Sequence, residues 1–287
     1  TPTRRCSGTP ARPAGQCWNG AEKARRAIPP AARKHYPVAP PEPQRRSVDM
    51  RDEPSRPLTV IYQSLREQIE RGLLARGSKL PSERQLSELF STTRITLREA
   101  LGQLEDQGLI YREERRGWFV SPQRLLYNPL VRSHFHAMVA DQGRVPETEV
   151  LGAAMIPASV DICQRLELPA LSRVFQIRRA RRVDGRLVLY VEHYLNPAYF
   201  PGIERFDLTR SLTDLYANHY GIRYGRVRFE MVPTILPAEA AGPLRVSVGS
   251  PALQIVRINR DQAGRLIDCD LEYWRHDALQ VNVEVPE

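Results

Sequence analysis

The stretch from Leu80 to Leu101 constrains the fold more than any other part of the chain. Its apolar residues recur at helical spacing on both sides of residues 91–93, so it predicts two short helices joined by a tight turn. Ser82 is a favourable N-cap for the first helix, and Gln85 follows three positions later, as a capping box requires. Thr93 can cap the second helix. The stretch therefore predicts a helix-turn-helix.

Three polar residues follow the start of the second helix. Arg94 and Arg98 are four positions apart and so share one helical face, with Thr96 between them. The first turn of the second helix of a helix-turn-helix enters the major groove of DNA. A guanidinium there can form two hydrogen bonds with a guanine edge or bind a phosphate. The spacing therefore predicts binding to double-stranded DNA.

This half of the chain resembles the winged helix-turn-helix of GntR-family bacterial regulators. The matching residues are Leu80-Pro81-Ser82-Glu83-Arg84, then Arg94-x-Thr96-Leu97-Arg98-Glu99-Ala100-Leu101, and a wing at Gly108-Leu109-Ile110 and Arg115-Arg116-Gly117-Trp118-Phe119-Val120. The resemblance implies that DNA is contacted by Arg84, Arg94, Thr96, Arg98, Arg115, Arg116 and Gly117. Ser91 stands where the family often has glycine, so we expect a positive φ there.

The net charge of +9 is concentrated at the beginning of the chain. Residues 1–49 hold ten basic and three acidic side chains, and residues 1–56 are rich in Pro, Ala and Arg without helical or strand periodicity. We predict that residues 1–56 are disordered. Two interpretations of residues 1–49 remain open: an extension upstream of a natural start at Met50, or a basic arm that binds phosphates without sequence preference.

Targeting signals and cysteine patterns add little. No apolar run reaches the length of a membrane span, and no secretory signal is evident, which predicts a cytoplasmic protein that does not bind membranes. The four cysteines are scattered and form no CxxC pair. They indicate neither a disulfide framework nor a zinc site.

The second half mixes strands and helices. Residues 174–182 and 187–195 alternate as strands around Val183-Asp184-Gly185, which is typical of a β-hairpin. A second hairpin is predicted over residues 252–274, helices at 131–139, 212–220 and 238–244, and a last strand at 281–285 that would close the sheet. The fold class is therefore α+β. We predict a winged helix-turn-helix at residues 57–121, a linker at 122–128, and an antiparallel-sheet domain at 129–287.

The second domain resembles the UTRA effector domain of the HutC subgroup, whose fold is related to chorismate lyase. The matching residues are Ser133-His134-Phe135, Ile177-Arg178-Arg179-Ala180-Arg181, Glu192, Arg210-Ser211-Leu212, Asp268 and Tyr273-Trp274. The resemblance implies a small, often anionic effector. The predicted effector-binding residues are Ser133, His134, Arg179, Arg181, Glu192, Ser211, Asp268 and Trp274.

Simpler interpretations of these residues stay open. Arg179 and Arg181 are two apart on a strand and face one side, either towards an anion or as an ordinary exposed face. Ser211 is an anion ligand or a plain helix cap. Glu192 and Asp268 bind ligand hydroxyls or an ammonium, or pair with the arginines. His134 and His136 lack a third ligand, so we predict no metal site and no cofactor.

Three functions compete at this stage. The first is a ligand-responsive transcriptional regulator, a repressor that binds a palindromic operator as a homodimer and is released by a small metabolite. The second is a chorismate-lyase-like enzyme, but no GxSxG or HExxH motif is present, and we predict no catalytic residues. The third is an architectural DNA binder without sequence preference, a role that the basic N-terminal residues would suit.

Overall fold

The computed structural model describes residues 57–113, 115–131 and 134–284. The predicted disordered segment 1–56 and the predicted effector ligand Ser133 lie outside these ranges.

The first domain is a three-helix bundle followed by a hairpin. Its elements are α1 (Pro57–Glu70), α2 (Glu83–Leu89), α3 (Arg94–Asp106), β1 (Ile110–Glu113) and β2 (Gly117–Val120). Each helix contributes one apolar face to a single core, because its apolar residues recur at helical spacing. The buried members include Ile61, Leu65, Leu86, Leu97, Leu101, Leu104 and Ile110.

Local capping fixes the turn between α2 and α3. The Ser82 hydroxyl accepts a hydrogen bond from the Gln85 amide, and the Gln85 side chain accepts one from the Ser82 amide, which confirms the predicted capping box. Thr93 caps α3 by accepting from the Thr96 amide at 3.2 Å. Each cap of this kind contributes about 1 kcal/mol. Ser91 has a φ of +48°, as expected for a residue in place of glycine.

The second domain is built on a six-stranded antiparallel sheet, which confirms the predicted α+β class. Its elements in chain order are β3 (Leu125–Tyr127), α4 (Phe135–Ala140), β4 (Pro146–Pro157), α5 (Val160–Arg165), β5 (Arg173–Val183), β6 (Arg186–Leu195), α6 (Leu212–Tyr220), β7 (Tyr224–Ile235), α7 (Ala238–Leu244), β8 (Pro251–Asp261), β9 (Leu266–Arg275) and β10 (Leu279–Val281).

The sheet has the strand order β4-β5-β6-β9-β8-β7, with every neighbouring pair antiparallel. Apolar residues of α4 and α6 pack against one face of the sheet. Those of α5 and α7 pack against the other face. The candidate effector cavity lies on the α4 and α6 face of the sheet. Every second side chain of β5, β6, β8 and β9 points to this face.

Two predicted segments were wrong in detail. The C-terminal strand does not close the large sheet: β10 pairs in parallel with β3, so the predicted linker 122–128 itself contains a strand. The reason is burial, because Leu125 and Leu279 both pack into the core beneath α4. The helix predicted for residues 131–139 begins only at Phe135, where the His134 side chain accepts from the Ala137 amide.

A buried charged cluster joins the two domains. Arg186 and Arg275 both pair with Asp277, and all three side chains are at most 8% exposed. The Arg186 guanidinium lies 3.9 Å from the ring centroid of Tyr111 on β1. Gly108 lies beside the cluster with a φ of +71°, where an added Cβ would meet the Asp277 Cβ at 3.1 Å. Glycine is therefore required at this point of closest approach.

Candidate DNA-binding and effector sites

The leading turn of α3 presents its polar side chains to solvent. Arg94 is exposed, and among the described residues no ion pair involves it. Ile95 beside it is 81% exposed. Thr96 is half-buried, and its hydroxyl lies 3.0 Å from that of Thr93. A cation without a protein partner at a helix start is available to a phosphate or a guanine edge.

Arg98 is exposed but paired. Its Nε donates to Glu83 Oε2 at 2.8 Å, and the other oxygen of Glu83 accepts from the indole nitrogen of Trp118. Burial raises the pKa of Glu83, but these two hydrogen bonds outweigh it and leave the pKa below its ordinary value. Within the described part of the chain, the Nε is the one nitrogen of Arg98 that is engaged, so its two terminal nitrogens have no partner there.

The wing brings further cations to its tip. Arg115 adopts a φ of +61° and Gly117 a φ of +100°, which turn the chain between β1 and β2. Arg116 pairs with Glu113 and stacks over Phe119 at 5.1 Å. Glu113 therefore faces Arg116 rather than away from it. At a separation of three residues across this tight turn, the carboxylate reaches the guanidinium directly.

The predicted DNA-binding residues mostly border one concave surface. Arg84, Arg94, Arg115, Arg116 and Gly117 line a groove between α2, α3 and the wing. Arg84 pairs with Glu88 and its side chain is 70% exposed. The groove also contains Lys79 and Arg112, which sequence analysis missed. Among the residues that the structure describes, six cations stand there against the carboxylates of Glu83 and Glu113, so the groove favours a polyanion.

A second, deeper cavity lies between the sheet and the two helices that cover this face. Five predicted effector residues border it: His134, Arg179, Arg181, Ser211 and Trp274. It opens beside the first turn of α6 and has a volume of about 50 Å³. The structure therefore gathers these five residues from four separate segments of the chain.

Arg179 is fixed at the base of this cavity. Its guanidinium donates to His193 Nε2 at 3.0 and 2.7 Å and to the carbonyl oxygens of Leu208 and Arg210 at 3.2 and 3.0 Å. The residue is 1% exposed, and burial lowers its pKa to about 10. His193 in turn contacts Asp270 at 2.6 Å. These bonds hold the cation rigidly and bring positive charge to the loop that precedes α6.

Arg181 differs from Arg179 because no fixed acceptor holds its Nε. No ion pair within the described residues involves Arg181, and its buried Nε has no hydrogen-bond partner. The guanidinium lies 4.6 Å from the ring centroid of Phe135. Burial and then the positive charge of Arg179 lower its pKa well below the ordinary value. A half-buried cation that lines a cavity and has a buried Nε without an acceptor is stabilised by an anion.

The start of α6 adds hydrogen-bond donors to the same cavity. The Ser211 hydroxyl caps the helix by accepting from the Asp214 amide at 3.2 Å. Ser211, Leu212 and Thr213 all border the cavity, at the end of the helix that carries a partial positive charge. Asp214 lies 3.5 Å from the Nε2 of His134, which caps α4. The two helix starts therefore meet at one wall of the cavity.

The structure does not bring Glu192 and Asp268 into the cavity. Glu192 lies on the opposite face of the sheet, where it accepts hydrogen bonds from the hydroxyls of Tyr190 and Tyr194. Asp268 is fully buried and accepts hydrogen bonds from Asn259 and Tyr224. Neither carboxylate pairs with Arg179 or Arg181, so that alternative was also wrong.

Several polar residues that border the cavity were not among the predicted effector residues, and they include His193, Arg257, Asp270 and Glu272. Arg257 contacts Glu272 at 3.4 Å, and Glu272 also accepts from the indole nitrogen of Trp274 at 2.8 Å. Asp268, Asp270, Glu272 and Trp274 alternate on β9, and this spacing is the signal that could have identified the carboxylates.

The two histidines considered as a metal pair have other partners. The His134 and His136 ring centroids are 6.3 Å apart, and His136 contacts the Thr148 hydroxyl at 2.9 Å. Burial and then Arg181 lower the pKa of His136. Among the residues that the structure describes, no three His, Cys, Asp or Glu side chains are grouped to hold a metal ion.

Comparison with known proteins places both halves of the chain. Residues 58–120 match the gntR family of bacterial regulatory proteins, and residues 141–280 match the UTRA domain. The chain is 32% identical to the uncharacterized HTH-type transcriptional regulator YihL of Escherichia coli, over 75% of this chain and 91% of that protein. It is 27% identical to the HTH-type transcriptional repressor NagR of Bacillus subtilis, over 77% of this chain and 92% of NagR.

Solved structures share the fold. The crystal structure of PhnF from Mycobacterium smegmatis aligns with a TM-score of 0.56 at 21% identity, over 79% of this chain and 99% of PhnF. None of the helices described is both long and apolar enough to span a bilayer. The chain therefore belongs to the GntR family of bacterial regulatory proteins, and is a DNA-binding transcriptional regulator with a C-terminal UTRA domain.

Proposed function

We propose that this regulator is a repressor of the HutC subgroup, released from a palindromic operator when a small anionic metabolite binds its UTRA domain. The observation that carries the proposal is the Arg181 guanidinium, which lines the cavity without a carboxylate partner among the described residues. Arg179 and the start of α6 lie beside it, so an anion there gains charge and hydrogen-bond donors together. Because its target is chromosomal DNA, we place the protein in the cytoplasm.

The proposed DNA complex is a homodimer with one α3 helix in each of two successive major grooves. Arg94 and Arg98 contact base edges or phosphates, and the wing contacts the backbone through Arg115 and Arg116. Effector binding favours dimer geometries that separate the two heads, and a coupling free energy of about 1–3 kcal/mol is typical.

Catalysis by the second domain has little support from the geometry. His193 and Asp270 form a His–carboxylate pair, but the other imidazole nitrogen accepts from Arg179. Burial lowers the pKa of His193 to about 3. A general base must be free to take a proton near neutral pH, so this imidazole is a structural acceptor.

The DNA half is tested by selection from a random double-stranded pool, followed by anisotropy titration of the selected site. We expect Arg94→Ala to weaken binding to that site by about 1–3 kcal/mol, because one base contact is lost. Arg178→Ala, which removes an exposed arginine from the other domain, is the control and keeps full affinity. Equal affinity for all sequences with a steep salt dependence would instead identify an architectural binder.

The effector half is tested with inorganic phosphate and sulfate in thermal unfolding of the full chain. Binding to the native state raises the unfolding midpoint. We expect both oxyanions to raise it in the wild type and in Arg178→Ala, and not in Arg181→Ala. An unchanged response in Arg181→Ala would remove this cavity as the anion site.

A further inference from the structure

A second chamber adjoins the charged cavity. It has a volume of about 270 Å³ and shares Tyr127, His134, Thr213, Tyr224 and Arg257 with the inner cavity. Among the described residues, its remaining lining residues come from the segment after β3 and from β7, and they are Pro129, Leu130, Val131, Val227 and Phe229. The two chambers therefore adjoin, and the inner one is charged whereas the unshared lining of the outer one is apolar.

The inner cavity is too small for a whole metabolite. A single water needs about 10–15 Å³ of such volume, and the inner cavity has about 50 Å³. It therefore holds an anionic group and little more. The remainder of the ligand must extend into the outer chamber, and the two volumes together reach only the lower end of the range of about 300–1,000 Å³ that is usual for small-molecule sites.

Among the described residues, the five that line only the outer chamber offer no side-chain group to ligand hydroxyls, and its polar lining residues are those shared with the inner cavity. Its distinctive residues are aliphatic or aromatic, and Tyr127 packs edge-on against Phe229 with ring centroids 6.3 Å apart. Arg257 is already engaged: it contacts Glu272 at 3.4 Å and lies 5.7 Å from the Phe229 ring centroid. Placing several hydroxyls there without hydrogen-bond partners costs free energy, whereas placing an apolar group there gains it.

We propose that the effector is an amphipathic oxyanion, with its charged group beside Arg181 and an aryl or branched alkyl body in the outer chamber against Phe229 and Val227. This inference rests on the proposed anion site and specifies what the anion is attached to. Polyhydroxylated bodies, such as those of sugar phosphates, are disfavoured at the same site. Phe229 and Val227 are accordingly specificity-determining residues.

The experiment compares three probes by isothermal titration of the full chain: phenyl phosphate, glucose 6-phosphate and inorganic phosphate. All three present a phosphate, so they differ in the body alone. We expect phenyl phosphate to bind at least about tenfold more tightly than either of the others, since burying one apolar ring contributes about 1.5–3 kcal/mol. Glucose 6-phosphate that binds as tightly as phenyl phosphate, or more tightly, would overturn the inference.

Two variants locate the preference. Phe229→Ala is expected to reduce the preference for phenyl phosphate over glucose 6-phosphate to less than about threefold, and Val227→Ser to reduce it as well without removing a large core side chain. Val232→Ala, on the same strand but with its side chain 52% exposed, is the matched control and keeps the preference. A preference that survives both Phe229→Ala and Val227→Ser would overturn the assignment of the outer chamber.

The outcomes separate this inference from the anion site on which it rests. If the oxyanions bind, depend on Arg181, and show no preference for an apolar body, only the two-chamber inference fails. If neither inorganic phosphate nor either ester binds, both fail together.

Discussion

Arginine serves the two domains in opposite ways. In the DNA-binding head, Arg84, Arg98 and Arg116 have side chains that are 63–70% exposed, and their carboxylate partners lie at the surface. In the effector domain, Arg179 and Arg186 are 1% and 6% exposed. The same side chain is therefore solvated in the first set of arginines and removed from water in the second.

The difference in exposure determines which ligands each set of arginines can bind. A solvated guanidinium keeps its charge at little cost and can exchange a surface carboxylate for a DNA phosphate, which is why such contacts depend on salt. A buried guanidinium is destabilised unless fixed groups or a bound anion replace the lost water. Arg179 has fixed hydrogen-bond acceptors, whereas the Nε of Arg181 has none. We therefore expect the buried, unpartnered Nε to make Arg181 selective for an anion.

The largest effect is expected from Arg179→Ala. Removing this guanidinium leaves two buried carbonyl oxygens and His193 without their donor, so the free energy of unfolding should fall by about 3–5 kcal/mol. Urea unfolding followed by circular dichroism measures it. Arg178→Ala, one position away but exposed, should change the free energy of unfolding by less than about 0.5 kcal/mol. Equal losses in the two variants would show that burial does not distinguish them.

The charged cluster between the two domains allows the same comparison for Arg186 and Arg275. Asp277→Asn removes the carboxylate that neutralises Arg186 and Arg275, so we expect a loss of about 3 kcal/mol in the free energy of unfolding. Because Arg186 also packs on Tyr111 of the head, the effector should release the operator less completely in this variant. Anisotropy with and without effector measures the coupling. A destabilised variant with unchanged coupling would exclude this cluster as the link.

The effect of burial on a charged group can also be tested with a carboxylate, that of Asp268. Burial and then the nearby Asp270 raise the pKa of Asp268 from 3.8 to about 8. The native state therefore holds a proton that the unfolded chain releases, and the free energy of unfolding should fall as pH rises between those values. Across that range, the loss in the free energy of unfolding approaches about 1.4 kcal/mol per pH unit.

The contribution of Asp268 to the pH dependence can be separated from that of His193 by the choice of pH range. His193 acts in the opposite sense, since its lowered pKa weakens the fold only below about pH 6.5. Between pH 6.5 and 8.5, wild type should lose stability by about 1 kcal/mol or more, and Asp268→Asn should lose less, because an amide does not titrate. Urea unfolding measures the free energy of unfolding of both proteins across this range. An equal loss in the wild type and in Asp268→Asn would contradict the raised pKa.

Much of this arrangement could be predicted from local patterns. The capping box at Ser82, the cap at Thr93 and the positive φ of Ser91 depend on neighbouring residues only, and all three were confirmed. The shared direction of Arg179 and Arg181 follows from the two-residue alternation of a strand. Both border the cavity for that reason.

What failed depends on the register in which neighbouring strands pair. Glu192 lies opposite Arg178 in the register of β5 and β6, so it shares the face away from the cavity. A one-residue difference in register moves every side chain to the other face, and local patterns do not determine that register. Arg257 was missed for a related reason: it reaches the cavity only because β8 lies beside β9.

The smallest expected effect concerns Arg98. It tests whether an ion pair with a carboxylate prevents an exposed arginine from binding DNA. Glu83→Gln removes the charge that holds Arg98 but keeps an oxygen acceptor for Trp118, so stability should change by less than about 1 kcal/mol. We expect operator affinity to fall a few-fold, because Glu83 contacts only the Nε and orients the two terminal nitrogens. If Glu83 instead neutralises Arg98, operator affinity rises in Glu83→Gln, and anisotropy titration of the selected site distinguishes the two signs.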